Sequence, residues 1–439
     1  MSYLSTQNYK GARDYYPEDK RVQNYIFTTW RKVVESYGYE EYITPLLESY
    51  DIYAAKTGQE IVNEQTYSFT DRGGRPVVVR PEMTPGLARM VAARRQELAY
   101  PARLYSIANY MRYERPQKGR EREFWQLNVD IFGVSTIDGD VEIIAMADQL
   151  MKAFRASEKM YTIKINSRKL INAVMADYLE LDIMQSQLMI KLFDRKDKMT
   201  PEEFRDQAAA IFDTDKTEVG LKHIAKLVGA KTMQELPPSL LETSAIKEVQ
   251  ALFTLLRERG VHNAIFDITL MRGFDYYTDI VFEVFDTHPE NNRAIFGGGR
   301  YDGLISLFGV EPLPTVGMAP GATMMEEFLR AHKLLPELRP ATDAYIVVLG
   351  DTLAGAQKLA KRLRDEEVNV AIDITGRKLD KQIKAAVKMK IPFLIFVGEE
   401  ELKAERYTLK YTENSAEHKF GFERLVATIT DHRVKDTDI

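Results

Sequence analysis

The chain has 439 residues, 45% hydrophobic and 28% charged, with a net charge of −5. That length asks for two or three domains, and the acidic balance excludes indiscriminate nucleic-acid binding, so a polyanion must meet a local patch. Cysteine is absent, which excludes disulfides and thiolate metal sites, and the six histidines show no metal-ligand spacing and support no Ser/His/Asp triad. No apolar run reaches membrane-span length, and the first twenty residues show no signal-peptide core.

After Pro17, the residues Val22, Tyr25, Ile26, Trp30, Val33, Val34 and Tyr37 recur at helical spacing, and Gly38 is the stop. Residues 39–47 (YEEYITPLL) predict one strand, which Pro45 confines to an edge or an interface. Residues 66–70 and 77–80 flank Asp-Arg-Gly-Gly-Arg and predict a hairpin. It runs into Arg80-Pro81-Glu82-Met83-Thr84-Pro85. A proline-pinned strand exit presenting Glu82 and Thr84 suits an ammonium group; the same carboxylate would equally cap the next helix, over 87–98.

A strand over 104–113 then feeds residues 111–132 (MRYERPQKGREREFWQLNVDIF), which predict strand, charged loop, strand. Trp125, Leu127, Val129 and Ile131 alternate with Gln126, Asn128 and Asp130. The second face therefore carries amides and a carboxylate where a solvent face would carry Lys or Glu. The loop adds Arg115, Lys118, Arg120 and Arg122 beside Arg112.

A helix follows over 140–156, then a strand over 161–166. From 161 to 261 the texture is helical and Lys/Glu-rich, and predicts an inserted module whose charges are solvated faces. Strand character returns at 264, and LMRGFDYYTDIVFEVF alternates from Thr278. Gly297, Gly298 and Gly299 permit close backbone approach, but no phosphate-binding G-x-x-x-x-G-K-[ST] is present. Residues 314–321 lead into a helix ending near 335. Residues 336–343 (PELRPATD) predict a linker, and the βαβαβ pattern beyond it predicts an α/β domain with a largely parallel sheet, closed by an antiparallel piece and a short helix.

Arg112, Glu114, Arg115, Arg120, Phe124, Gln126 and Asp130, taken with Arg272, Tyr276, Tyr277 and Tyr301, form a coherent set. Arginines give bidentate contacts to phosphate or carboxylate. Phe124 offers a stacking face, and the amide, carboxylate and tyrosines suit a polar side chain. Such a set fits a reaction governed by positioning and charge neutralisation, such as carboxylate attack on the α-phosphate of ATP. A structural arginine–carboxylate network under a sheet is the competing reading.

RYERPQKGREREFWQ resembles the second signature of class II aminoacyl-tRNA synthetases in its histidyl-tRNA synthetase form, and MRGFDYYTDIVFE and FGGGRYDGL resemble that family's two histidine signatures. KGARDYYPED and RPEMTPGLAR are also similar to it, and the likeness covers essentially the whole chain. The resemblance implies an α+β fold: an antiparallel catalytic sheet in two parts (1–160 and 262–335), a helical insertion (161–261), the linker (336–343) and a C-terminal α/β anticodon-binding-type domain (344–439). It implies a cytoplasmic homodimer, not a membrane protein, that joins histidine to ATP as histidyl-adenylate and then to histidine tRNA, with Mg²⁺ accompanying ATP and no protein ligand for it readable. Glu82, Met83 and Thr84 with Gln126 and Tyr276 would hold the α-amino end of histidine. Asp130, Tyr277 and Tyr301 would read its imidazole. Arg112 and Arg272 would act on the α-phosphate and carboxylate, Glu114 and Phe124 would hold adenine, and Arg120 would meet the tRNA acceptor end.

Two departures stand out. Asp130 occupies a position where the family usually has Glu. The third class II signature, Gly–aliphatic–Glu–Arg, reads here Gly321-Ala322-Thr323-Met324, with no arginine on that helix before Arg330. The second departure keeps a second expectation open: a synthetase-like histidine sensor or regulatory paralogue with weak or no adenylation.

Overall fold

The structure is a computed structural model and describes residues 3–54, 65–196, 199–271, 276–291 and 293–437. Two compact units divide the chain: Met1–Tyr16 with Gln23–Leu335, and Pro17–Val22 with Pro336–Ile439. Helix α1 (Pro17–Ser36) starts on a proline, carries Glu18 and Asp19 in its first turn, and buries Ile26, Trp30, Val33 and Val34. Next come β1 (Glu40–Glu41), β2 (Leu47–Ser49), α2 (Tyr50–Ala54), β3 (Tyr67–Thr70), β4 (Pro76–Val79) and α3 (Thr84–Ala93). The long pair β5 (Ala102–Met111) and β6 (Glu123–Phe132) precedes α4 (Asp138–Ala153) and β7 (Tyr161–Ser167).

Helices α5 (Arg168–Ala173), α6 (Ile183–Asp194), α7 (Pro201–Ala209), α8 (Thr217–Gly229), α9 (Pro238–Leu241) and α10 (Ser244–Glu258) fill the stretch between β7 and β8 (Ala264–Phe266). Strands β9 (Ile280–Asp286), β10 (Ala294–Arg300) and β11 (Thr315–Met318) lead to α11 (Ala322–Ala331). These strands build an eight-stranded sheet in the order β1-β5-β6-β11-β10-β9-β7-β8. Its centre is antiparallel, from β5 to β7, with parallel pairs only at the edges, β1 on β5 and β7 on β8. The strand opening the stretch 161–261 is therefore hydrogen-bonded into the large sheet, and the helices hang between β7 and β8.

The second unit holds β12 (Ala344–Val348), α12 (Leu353–Asp365), β13 (Val370–Ile372), α13 (Leu379–Lys388), β14 (Phe393–Val397), α14 (Glu399–Ala404), β15 (Arg406–Tyr411), β16 (Glu417–Gly421) and α15 (Phe422–Thr437). Its sheet order is β13-β12-β14-β15-β16, parallel across the first three strands and antiparallel beyond. The alternation of apolar strands with helices forecasts this layout well. The closing helix, expected to be short, spans sixteen residues.

Three local expectations are corrected. The single strand over 39–47 is two: β1 pairs with β5, while β2 joins a separate three-stranded sheet with β4 and β3. Pro45 lies between them, where it has no N–H to give a ladder. The helix expected over 87–98 begins at Thr84 and ends at Ala93. Residues 314–321 are more than a lead-in, because β11 is a central strand between β6 and β10. All four of its residues are buried, so it has no alternation to read, and Gly317 lowers its apparent strand character.

Candidate active site

Strand β6 carries the centre of the site. Its second half is buried on both faces, because β5 and β11 flank it and layers cover it. Asp130 pairs opposite Gly317 in β11, and a side chain on Gly317 would place a Cβ only 2.1 Å from Asp130 Oδ1. The glycine is what lets the carboxylate lie across the neighbouring strand. The triple glycine of β10 works the same way. A Cβ on Gly298 would meet the Gly317 carbonyl at 2.2 Å, and one on Gly299 would meet the Ile280 carbonyl at 2.6 Å and the Tyr277 ring at 3.0 Å. These glycines accept backbone and a tyrosine wall.

The hydroxyl of Tyr301 donates to Asp130 Oδ1, while Asp130 Oδ2 is buried with no partner among the described residues. Burial pushes the Asp130 carboxyl up to about 7, against the lowering effect of the Tyr301 hydrogen bond. The Tyr42 hydroxyl is likewise buried without a partner among the described residues, and burial together with the Asp130 charge raises its pKa. Tyr276, Tyr277 and Tyr301 form a wall, with ring centroids 5.1–6.4 Å apart. Burial raises all three, so each remains a neutral donor.

Beside this wall, Glu82 is 3% exposed and accepts from the Tyr276 hydroxyl at 3.4 Å. Thr84 interacts with the same hydroxyl. Helix α3 takes no side-chain cap at Met83, its N-cap residue. Tyr53 donates to the Glu82 carbonyl at 3.2 Å. Met83 sits between the two polar residues but turns into the core with Ala108 and Tyr110. Thr44 donates to its sulfur at 3.1 Å, so the Met83 side chain is a packing group behind the pocket. Gln126 donates to the Ala319 carbonyl at 2.9 Å, which ties β6 to the turn before α11. Asn128 accepts from the Tyr110 hydroxyl at 3.0 Å.

The loop between β5 and β6 is built differently. Arg112 donates through Nε to the Pro81 carbonyl at 2.9 Å, and its guanidinium lies 5.3 Å from the Phe124 ring centroid. One edge of the cation is thereby fixed while the other donors stay available. Glu114 accepts from Arg120 at 3.4 Å, a pair with an exposed arginine. Arg115, Lys118 and Arg120 are exposed. Arg122 is not part of this cationic surface. It is 8% exposed, lies 4.0 Å from the Tyr113 ring centroid, and donates to the Glu114 and Lys10 carbonyls and the Tyr9 hydroxyl.

The loop rests on α11. Thr323 donates to Glu121 at 3.2 Å, Lys118 pairs with Glu327 at 3.4 Å, and a Cβ on Gly119 would fall 2.4 Å from the Met324 sulfur. Met324, at the position where an arginine was expected, packs against loop backbone at a residue whose φ of +75° favours glycine. Arg13 ties the N-terminal KGARD stretch to the same place, 3.0 Å from Glu326 and 3.9 Å from Glu121.

The structure thus brings together Glu82, Thr84, Asp130, Tyr276, Tyr277 and Tyr301, and sets Arg112, Glu114, Arg120 and Phe124 on the adjoining strand ends and loop. Arg272 lies outside the described residues. Tyr42, Tyr53 and Tyr110 were missed from the sequence; Tyr42 and Tyr110 are hidden in strand-like stretches, and Tyr53 lies in the short helix α2. Gly317 carried a signal only in hindsight of its register with Asp130.

A family model for histidyl-tRNA synthetase matches residues 11–323. The chain belongs to the histidyl-tRNA synthetase family. A model for an anticodon binding domain matches residues 343–432. A histidine–tRNA ligase of Leptospira biflexa is 39% identical over 434 residues, 98% of this chain and 99% of that one. A crystal structure of histidyl-tRNA synthetase from a Nostoc species covers 98% of this chain and 100% of its own, with a TM-score of 0.83 at 22% identity. A Bacillus halodurans structure described as an ATP phosphoribosyltransferase regulatory subunit/histidyl-tRNA synthetase covers 90% of this chain and 99% of its own, with a TM-score of 0.73 at 23% identity. At those identities the two structures share the fold with this chain. The fold does not choose between a synthetase and a regulatory relative; the 39% relative and the histidyl-tRNA synthetase model favour the former.

Proposed function

We propose that this chain is an ATP-dependent histidine–tRNA ligase, forming histidyl-adenylate and passing the histidyl group to the 3′ end of histidine tRNA. The observation that carries the reading is the cluster of buried polar groups around Glu82 and Asp130. Both carboxylates are buried and both bear electrostatically on Tyr276 and Tyr277, and two buried polar atoms, Asp130 Oδ2 and Tyr42 OH, lack a partner among the described residues. Buried groups of that kind are expensive without a partner. A molecule with an ammonium at one end and an imidazole N–H at the other answers both carboxylates: Glu82, Thr84 and Tyr276 take the ammonium, and Asp130 accepts from the ring.

In the first step the histidine carboxylate attacks the α-phosphorus of ATP, the bond to the bridging oxygen breaks, and pyrophosphate leaves. Arg112, held by Pro81, spans carboxylate and α-phosphate and neutralises their repulsion. Arg272 would act from the opposite side, a role resting on the resemblance. Phe124 and Glu114 would receive adenine, with Glu114 exchanging its exposed Arg120 partner for the base. Arg120, once released, would face the acceptor end. In the second step a terminal ribose hydroxyl attacks the adenylate carbonyl, and AMP leaves. Mg²⁺ enters with ATP as part of that substrate. Among the described residues no three His, Asp or Glu side chains gather into a metal site.

We also assign this chain to a cytoplasmic homodimer. Ile43, Leu46 and Leu47 stand 62%, 45% and 48% exposed around Pro45 beside edge strand β1, an apolar run suited to a second copy. No helix among the described residues is long and apolar enough to cross a membrane.

The test is histidine-dependent ATP–pyrophosphate exchange followed by charging of histidine tRNA. Exchange and charging are expected, both lost in Arg272→Ala. Exchange no higher than in that variant sinks the ligase reading and leaves the histidine-sensing one. Exchange without charging identifies an activator that serves another acceptor.

A further inference from the structure

Asp130 Oδ2, Ser106 Oγ and the Tyr42 hydroxyl are all buried without a hydrogen-bond partner among the described residues. Asp130 is 2% exposed and Ser106 0%. The strand register puts the two on one face. Leu104 of β5 stands opposite Asp130 of β6, and Ser106 opposite Asn128. Side chains directly opposite in an antiparallel pair share a face, as do residues two apart on one strand. Ser106 is therefore the diagonal neighbour of Asp130. Tyr42 extends the pairing of β1 with β5 by one residue, donating its N–H to the Tyr105 carbonyl at 2.8 Å. Its ring packs against the group that holds Tyr276 and Tyr301 and against the group of Met83, Ala108 and Tyr110. Its hydroxyl lies close enough to Asp130 to feel the charge of the carboxylate.

The polar groups around these atoms are paired. The Tyr110 hydroxyl donates to Asn128, the Thr44 hydroxyl to the Met83 sulfur, and the Tyr301 hydroxyl to Asp130 Oδ1. Oδ1 lies on the β11 side, over Gly317. The two oxygens of a carboxylate diverge, so Oδ2 is left for the side of β5, where Ser106 and Tyr42 stand. Neither hydroxyl bonds Oδ2 or the other directly, since all three lack a partner. One acceptor and two hydroxyls that each donate and accept are the set of about three contacts that an internal water makes. Residue size points the same way. Asp130 occupies a position where the family usually has Glu, and the shorter side chain leaves the room of one methylene beside its carboxylate.

We propose that Tyr42 and Ser106 hold one bound water against Asp130 Oδ2, and that Tyr42 is, through this water, a positioning residue for the carboxylate that receives the imidazole. Tyr42 donates its hydroxyl hydrogen to the water. The water donates to Oδ2 and to Ser106 Oγ. Oδ2 keeps a second lone pair for the ring N–H. With Tyr301 on Oδ1 and the water on Oδ2, the carboxylate is gripped from both sides, which fixes its plane for a directional contact. The proposal rests on the ligase reading for the identity of the ligand as histidine.

The test uses Tyr42→Phe and Ser106→Ala in the full chain, each of which removes one hydroxyl. Histidine binding is measured by calorimetry without ATP, and pyrophosphate exchange gives the KM for ATP in parallel. Tyr42→Phe is expected to weaken histidine binding about five- to tenfold, the effect of one net hydrogen bond, with the KM for ATP unchanged. Ser106→Ala is expected to act in the same direction. The double variant is expected to lose no more than Tyr42→Phe alone, because one water serves both hydroxyls. In an Asp130→Glu background the added methylene takes the place of the water, and Tyr42→Phe should then cost no further affinity. Unchanged histidine affinity in Tyr42→Phe, multiplied losses in the double variant, or a KM for ATP that rises as much as the histidine Kd each overturn the proposal. A high-resolution crystal structure of the parent chain, with and without histidine, is expected to show a water touching all three atoms. No water there, or a ring atom of histidine in its place, overturns the proposal as well. Absent exchange in a parent chain that binds histidine defeats the ligase reading separately, because calorimetry and the crystal structure need no turnover.

Discussion

The two halves of the candidate site are built to different standards. The side around Asp130 lies on paired strands, with glycines at the crossings, tyrosine rings packed edge to face, and Asp130, Glu82, Tyr276 and Tyr301 buried. The side around Arg112 is the end of a strand pair and a loop whose cations are exposed, steadied by a few contacts to α11 and the N-terminal stretch. The strand-built half must discriminate, which needs fixed distances and desolvated groups. The loop-built half must admit a large polyanion and later a tRNA end, which needs cations that can re-pair.

The sharpest way to break this contrast is Asp130→Asn. Oδ1 can still accept from Tyr301, but the carboxylate partner for the imidazole is lost. The KM for histidine should rise about ten- to a hundredfold, with the KM for ATP unchanged. The same variant reports on stability. Asp130 has a folded pKa of about 7 against roughly 3.9 for an unfolded aspartate. Between those values the folded chain keeps a proton that the unfolded chain has lost. Stability therefore declines as pH rises from about 4 to about 7 and is flat above. Asp130→Asn should remove that decline and raise the melting temperature at pH 8, while histidine affinity falls. A lower melting temperature at pH 8 would contradict the buried-carboxylate account.

Gly317→Ala comes next. Its methyl would collide with Asp130 Oδ1 and come within 2.9 Å of the Val129 carbonyl. A loss of about 1–3 kcal/mol in unfolding free energy is expected, together with a raised histidine KM. An alanine variant with parental melting and kinetics would mean that Asp130 is not held as described.

Changes in the loop half should be smaller and differently distributed. Arg120→Ala should slow tRNA charging severalfold while leaving pyrophosphate exchange within twofold, since its pair with Glu114 is exposed and contributes about 0–1 kcal/mol. Met324→Ala should have the mildest effect, a few-fold rise in the KM for ATP as the support under Gly119 loosens, with histidine KM unmoved. A larger histidine effect from Met324→Ala than from Gly317→Ala would erase the distinction between the two halves.

Much of this was legible in the chain itself. The alternation of Gln126, Asn128 and Asp130 with apolar neighbours, the charged loop before it, the glycine triplet, and the βαβαβ tail each follow from periods of 2 and 3.6 and from the turn chemistry of glycine and proline. Those are local rules, so they survive without knowledge of the fold. What tertiary structure alone decided was pairing. Asp130 has its raised pKa because β11, a buried four-residue strand with no readable pattern, lies beside it and removes water. Arg122, indistinguishable in sequence from Arg120, became a staple because Tyr9 and Tyr113 stack around it. Met324 could be seen to lack a guanidinium, but only its contact with Gly119 shows what the thioether does instead. Residue type and spacing set which groups were available; burial and the partner across the strand, both long-range properties of the folded chain, set which of them carry charge, which brace and which are left to bind.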